Sequence, residues 1–216
     1  LNRIVGQNVS LEELTDEYDA VYVATGAGAP RFLGVEGEDL NGIYSANEFL
    51  TRINLMKAYK FPEYDTPITD MDRVAVVGAG NVAIDAARSA LRLGADVHIL
   101  YRRTKEWSPA RDEELEHAVQ EGVHFDCLCS PMKFVGDGNG WLKEIELCET
   151  KLCEPNMSGR PSPEVLEDSD FRKDFDTAVI AIGQKPNKVF YENASGIDVR
   201  DWGGIKIDKN TQMTTR

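Results

Sequence analysis

Short, nearly all-apolar runs alternate along this chain with stretches whose apolar residues recur at helical spacing, a rhythm that predicts an α/β architecture. Arg73-Val-Ala-Val-Val77 and Asp96-Val-His-Ile-Leu-Tyr101 read as buried parallel strands, because runs without polar alternation belong in a sheet covered on both faces. Two further runs echo each other. Tyr18-Asp-Ala-Val-Tyr-Val-Ala-Thr-Gly26 and Phe175-Asp-Thr-Ala-Val-Ile-Ala-Ile-Gly183 share an aromatic-Asp start, an apolar run and a terminal glycine, and predict two more buried parallel strands that bracket the middle of the chain.

Between the strands the spacing changes to that of helices. Ser45-Ala-Asn-Glu48 has the spacing of a reciprocal cap, and Phe49, Leu50, Ile53, Met56 and Tyr59 follow near helical positions up to Pro62. A polar link, Asp70 to Asp72, leads to the first central strand. After that strand, Val82, Ala86, Ser89, Ala90 and Leu93 predict a helix that stops at Gly94. Ser108-Pro109 predicts the start of another, with Asp112, Glu113 and Glu114 at its positive end and Gly122 as its stop. Residues 123–128, 132–135 and 142–148 read as strands, the last two joined by the turn Gly136-Asp-Gly-Asn-Gly140. The polar stretch 154–174, with three prolines, reads as a surface loop, and residues 202–208 as a turn and short strand.

The segment from Val74 to Arg103 carries the chemistry. Gly78-Ala-Gly-Asn-Val-Ala83 is a GxGxxA motif placed where it needs to be, between a strand and a helix. Gly78 suits the tight turn, Gly80 admits a pyrophosphate to the backbone amides of Ala79, Asn81 and Val82, and Ala83 lets the helix pack on the strand. A dinucleotide is the expected ligand. The second strand ends in Tyr101-Arg102-Arg103, where a site for NAD would carry an acid for the ribose 2′-hydroxyl. Guanidinium groups there favour a 2′-phosphate, and so NADPH, with Arg111 a further cation within reach. The plainer alternative for Arg103 is a solvated charge at a strand end. The missing acid also argues against a nucleoside-binding methyltransferase. Asp85 stands one turn into the motif helix, where it would either face the nicotinamide end or cap an amide.

Composition narrows the remaining options. The chain has 216 residues and a formal net charge of −13, and no basic face or tail that would suit nucleic acid or an anionic membrane. No apolar run approaches the roughly 20 residues of a membrane helix and no signal peptide is evident, so a soluble cytoplasmic protein is expected. Cys127, Cys129, Cys148 and Cys153 match neither a redox pair nor a zinc site and read as plain thiols. His98, His117 and His124 read as structural, and no metal site is expected.

Together these motifs resemble the NADPH-dependent, FAD-containing oxidoreductases typified by the glutamate synthase small subunit. The resemblance rests on Ala24-Thr-Gly-Ala27, Gly34-Val-Glu-Gly37, Tyr44-Ser-Ala-Asn-Glu-Phe-Leu50, Val76 to Arg88, Tyr101-Arg-Arg103 with Pro109-Ala110, and Ala181-Ile-Gly-Gln-Lys-Pro-Asn187. It implies a Rossmann-like three-layer domain with a parallel sheet and a small antiparallel insertion, set into an FAD domain of which only flanking strands are present. The expected division is 1–29 and 188–216 as FAD-domain flanks, 30–72 as a linker with a helix and 73–187 as the NADPH domain. It also implies that Ala181, Ile182, Gly183 and Gln184 lie beside the nucleotide. The family's amino-terminal FAD motif, cysteine-rich iron-sulfur segment and later Gly-Asp motif are not seen, so most of the flavin site is expected to lie elsewhere in a longer parent. In that parent, hydride passes from NADPH to FAD and on to a partner subunit or iron-sulfur cluster, a step for which no residue of this chain is named as catalytic. The competing reading is a non-catalytic NADP-binding sensor or interaction module, which would have no need of the two flanking Ala-x-Gly strands.

Overall fold

A computed structural model describes residues 2–69, 71–155 and 159–215, so Asp70 of the polar link and residues 156–158 of the expected surface loop lie outside the described residues. The chain forms two units, Arg31–Gly183 and the pair of segments Leu1–Pro30 with Gln184–Arg216.

In the first segment of the two-segment unit, helix α1 (Leu11–Glu17) is held by a reciprocal cap: Glu13 N donates to Ser10 Oγ at 3.0 Å, and Ser10 N donates to the Glu13 carboxylate at 2.7 Å. Residues 18–26 form no regular element, and among the described residues no strand pairs with them. The buried strand expected there is therefore not formed. A buried parallel strand needs a neighbour for its amides and cover on both faces. Here Val21 and Val23 pack on a small cluster of Leu11, Phe190 and Ala194, while Tyr22 is 92% exposed. The unit also holds a two-residue pairing of β1 (Ala29–Pro30) with β11 (Gln184–Lys185) and helix α5 (Lys188–Glu192). The strand expected within residues 202–208 is reduced to one bridge, Val199 to Ile205.

In the larger unit, five parallel strands lie in the order β2 (Ile43–Ser45), β10 (Thr177–Ile180), β3 (Arg73–Val77), β4 (Asp96–Tyr101), β5 (His124–Cys127). Alternation along the central strands assigns one set of side chains to each face. Val74, Val76, Val97, Ile99 and Val179 meet helices α2 (Ala46–Leu50), α3 (Asn81–Arg92) and α4 (Asp112–Glu121). Ala75, Val77, Leu100, Ala178 and Ile180 meet an antiparallel sheet. That sheet consists of β6 (Cys129–Gly136), β7 (Leu142–Pro155), β8 (Pro161–Val165) and β9 (Phe171–Asp174). The third layer of the sandwich is thus the antiparallel sheet, with no helix on that face of the parallel one. Residues 43–53, in the stretch expected to link, supply an edge strand and a helix whose Phe49 is fully buried.

Local departures have identifiable causes. The stretch 154–174 is largely sheet: one half of β7 pairs with β6 and β9, and the other half with β8. Pro161 and Pro163 are tolerated because β8 pairs on one side only, where a missing amide on the open side costs nothing. The helix expected from Ser45 to Tyr59 is α for five residues, then a π-helical turn, Thr51–Leu55, and a short 3-10 turn, Ala58–Lys60. The π turn shifts the phase, so Phe49 and Ile53 are buried while Met56 and Tyr59 are exposed. Ser45 caps as expected, but Glu48 pairs with Arg52 at 3.0 Å in place of returning to the cap. Ser108 does not begin α4. The N-cap is Arg111, three residues on, after a 3-10 turn at Lys105–Trp107. Gly122, at φ 111°, ends α4 as expected.

Helices α3 and α4 are clamped by Arg88, which reaches Glu121 at 2.6 Å and Glu114 at 2.8 Å. The hydrogen bond from Arg88, outweighing partial burial and aided by Arg92, holds the Glu121 carboxyl down at about 2, against an ordinary 4.5. A carboxylate depressed in this way contributes stability that is full above the unfolded value and fades as pH falls toward the folded one. Glu121→Gln should therefore cost about 1 kcal/mol at neutral pH, a fall of about 2–4 °C in Tm by calorimetry. The gap from wild type should close as pH falls from 4.5 toward about 2, and a gap constant across that range would show that the ion pair contributes nothing.

Candidate functional site: a nucleotide crevice at the switch point of the sheet

In the strand order β10 and β3 are parallel neighbours, and the chain continues from β3 through α3 to β4 on the far side of β3 from β10. In open α/β sheets the carboxyl ends of two such strands enclose a crevice. The loops after β3 and β10 are Gly78 to Gly80 and Ala181 to Gly183. They touch closely: a Cβ on Gly78 would lie 2.5 Å from the Ala181 carbonyl oxygen, and Gly78 has φ 118°. Glycine at that position is set by the protein's own backbone.

Gly80 differs. A Cβ there would meet nothing closer than Pro109 Cγ at 3.7 Å, an ordinary contact, and its φ is an unstrained −84°. The fold itself makes no demand for glycine there. Gly80 is also the N-cap of α3, and no side chain caps that helix. The start of α3, with Asn81 and exposed Val82, therefore presents a helix dipole and backbone amides to the crevice. Asn81 uses its side chain to accept from Arg111 N at 3.0 Å, and Ser108 Oγ donates to the Ala79 carbonyl. The segment before α4 is thereby tied to the glycine loop, with Arg111 exposed at the surface.

The end of β4 is cationic. Tyr101 is buried and its hydroxyl donates to the Trp107 carbonyl at 2.7 Å. Arg103 is 6% exposed and its Nε donates to the Pro161 carbonyl at 2.8 Å, so the solvated-charge alternative does not describe it. Arg102 is exposed, and among the described residues its guanidinium has neither hydrogen bond nor ion pair. Desolvation first, and then the like charges of Arg103 and Arg160, lower its pKa from the ordinary 12.5. Arg160 escaped notice in the sequence because it stands in a stretch that reads as loop, and no spacing rule relates position 160 to 102. Ala181 and Ile182 are half-buried and Gly183 is exposed in the crevice loop, while Gln184 opens β11 of the other unit. Asp85 is exposed and caps no amide; its field acts on Arg88.

His117 lies on α4, while His98 and His124 lie in the amino-terminal halves of β4 and β5. They stack at 4.8 Å, and ligand atoms of Asp96, His98 and His124 lie within 4.8 Å of one another. The Arg73 guanidinium lies 3.3 Å from both His98 Nε2 and the Asp96 carboxylate. His98 Nδ1 lies 2.9 Å from Asp126, whose carboxyl is held below the ordinary range by hydrogen bonds from Lys173 and His98 against the cost of burial. All four cysteines are free and their thiol pKa values are raised, that of Cys129 by burial to about 12. They are poor nucleophiles.

The contrast between the two glycines is directly testable. Gly78→Ala should destabilise the protein by at least ~2 kcal/mol in urea unfolding, from the positive φ and the carbonyl clash together. Gly80→Ala should change stability by less than about 0.5 kcal/mol. Equal effects would mean that the two positions are not distinguished by the backbone.

This geometry has counterparts in known proteins. The model of the family described as pyridine nucleotide-disulphide oxidoreductase matches residues 2–216. The beta subunit of an NADP(+)-dependent formate dehydrogenase from Moorella thermoacetica is 38% identical across the whole chain, which spans 29% of that protein. The glutamate synthase [NADPH] small chain of Escherichia coli is 32% identical over 95% of the chain and 44% of its own length. The chain thus spans less than half the length of these relatives. Among solved structures, FprA of Mycobacterium tuberculosis in complex with NADPH shares the fold with a TM-score of 0.75 at 21% identity, over 96% of this chain and 58% of that one. Among the described residues, no helix is long and apolar enough to cross a membrane. A match along the whole described length, supported by relatives more than 30% identical, establishes that this chain belongs to the pyridine nucleotide-disulphide oxidoreductase family, whose cofactors are FAD and NADPH.

Proposed function

We propose that this chain is the NADPH-binding part of a flavin-dependent oxidoreductase resembling the glutamate synthase small subunit. The observation that carries the reading is the pairing of an uncapped helix start beyond Gly80 with a free guanidinium, Arg102, at the end of the next strand. The first suits a pyrophosphate and the second a ribose 2′-phosphate. These residues fit the cofactor on the structure's own terms: the space at Gly80 is open, and no acid stands at Tyr101-Arg102-Arg103.

In this reading the loop of Gly78, Ala79 and Gly80 with the first turn of α3, Asn81 and Val82, holds the pyrophosphate. Arg102 binds the 2′-phosphate, and Arg111 adds charge from the start of α4. Tyr101 and Arg103 shape the pocket, since the Tyr101 hydroxyl and the Arg103 Nε are engaged within the protein. Ala181, Ile182 and Gly183 border the nicotinamide side of the crevice, and Gln184 is carried over from the family motif. The bound cofactor supplies a hydride for flavin N5, and the protein's contribution is to orient its ring and exclude water. The segments 2–29 and 188–215 belong, in this proposal, to the FAD domain.

Three relatives are named for three different reactions: an NADP(+)-dependent formate dehydrogenase, an NADPH-Fe(3+) oxidoreductase and a glutamate synthase [NADPH]. They share this stretch, which supports placing the NADPH function in it and the choice of reaction partner in other parts. Their designations as beta subunits and a small chain support delivery of electrons to a partner subunit or iron-sulfur cluster.

Titration of the full chain with NADPH and NADH tests the reading. NADPH should bind at least ~10-fold more tightly, and Arg102→Ala should erase most of that preference while leaving NADH affinity within about 2-fold. Gly80→Ala should weaken both nucleotides together, because it obstructs the part they share. Equal affinities in the wild type, or a preference indifferent to Arg102, would refute the assignment.

A further inference from the structure

The antiparallel sheet does more than cover one face of the parallel one, because it also reaches the end of β4. Three hydrogen bonds join it there: Thr150 Oγ1 donates to the Arg102 carbonyl at 3.0 Å, Arg103 Nε donates to the Pro161 carbonyl at 2.8 Å, and Arg160 Nη2 donates to the Tyr101 hydroxyl at 2.8 Å. Arg160 Nη2 also donates to the Trp107 carbonyl. Arg160 and Pro161 are thereby tied to Tyr101-Arg102-Arg103, and Arg160 is held at the same strand end as Arg102.

The chain carries 37 acidic residues against 24 basic ones. Arg52, Arg73, Arg88, Arg92 and Arg172 each pair with a carboxylate, whereas among the described residues Arg3, Arg31, Arg111 and Arg200 do not, and what sets the end of β4 apart is that three arginines without an ion pair stand together there. Among the described residues, Arg102, Arg103 and Arg160 pair with no carboxylate. Three guanidinium groups gathered without a counter-ion repel one another, and a bound anion relieves the repulsion. Among the described residues only Nη2 of Arg160 is engaged, so Nε and Nη1 can each donate one further hydrogen bond. A fixed guanidinium charge with single donors to spare, at the same strand end as Arg102, suits a phosphate monoester.

We propose that Arg160, delivered by the antiparallel sheet, is a ligand of the ribose 2′-phosphate and a determinant of the preference for NADPH over NADH. The proposal rests on the nucleotide reading above and extends it: the pocket takes residues from both sheets, and Arg160, just before β8, is a specificity element. The ligand class is a phosphate monoester on a nucleoside.

Isothermal titration of the full chain with 2′,5′-ADP and with 5′-ADP separates the two claims. In the wild type 2′,5′-ADP should bind more tightly than 5′-ADP. Arg160→Ala should weaken 2′,5′-ADP about 5-fold or more and 5′-ADP less than about 2-fold, and should reduce the salt sensitivity of 2′,5′-ADP binding. Arg160→Lys should recover part of the loss, since the charge returns but on a flexible ammonium that lacks the guanidinium's several donors. If Arg160→Ala does not fold, Arg160→Gln, which retains polar donors and removes the charge, should give the same selective loss. Should the wild type show the 2′-phosphate preference while the Arg160 variants weaken both probes alike or neither, this inference is overturned and the nucleotide reading stands. A wild type with no preference at all would overturn both.

Discussion

The contact between the turn after β3 and the loop after β10 is the constraint on which the candidate site depends. Gly78 approaches the Ala181 carbonyl more closely than any side chain would permit, and Ala181 N donates back to Val77 at 2.9 Å. The strands are paired from Thr177 with Val74 to Ile180 with Val77, so the two loops begin side by side, and the one after β3 leads directly into α3 and its uncapped first turn. A bulkier residue at 78 would separate the strand ends and lose the crevice together with the register.

The second physical theme is a sheet with two dissimilar faces. Alternate residues of β3, β4 and β10 enter two separate cores, one made with helices and the other with the antiparallel sheet. Small residues dominate the helical side: Ala83, Ala86, Ala87 and Ala90 are all buried without remainder, which brings α3 close to the sheet and its first turn close to the crevice. Larger side chains, Phe134, Ile145, Leu147 and Phe175, fill the other side and set the antiparallel sheet against β4. Packing on that side brings Thr150 and Pro161 to the backbone and side chains of the Tyr-Arg-Arg segment.

Charge is distributed to match. Carboxylates clamp the helices through Arg88 and flank His98 and His124, whereas the end of β4 holds cations that, among the described residues, pair with no carboxylate. A chain with a net charge of −13 repels a polyanion over most of its surface, so a phosphate-bearing nucleotide gains from a local cationic end built into a crevice.

The sequence alone determined the central unit: the strand, glycine turn, helix and strand from Val74 to Arg103, the helix ending at Gly122, the strand at Phe175 to Gly183, the turn at Gly136 to Gly140, and a cationic strand end. Each of these is encoded locally, by period, by residues that tolerate a positive φ, or by a fixed distance along the chain. The same local logic missed Ser10-Leu-Glu-Glu13, although its cap has the spacing recognised at Ser45, and placed the start of α4 three residues early because Ser108 spends its hydroxyl on the glycine loop. Tertiary structure decided whatever depended on partners far along the chain. Residues 18–26 have the composition of a buried strand but find no strand beside them, whereas 161–165 and 171–174 look like loop and become strands because β7 is long enough to pair with both. Arg103 and Arg160 belong to this second class. What each guanidinium touches is set by a sheet that folds back some 50 to 60 residues later, a separation at which sequence spacing carries no information about contact.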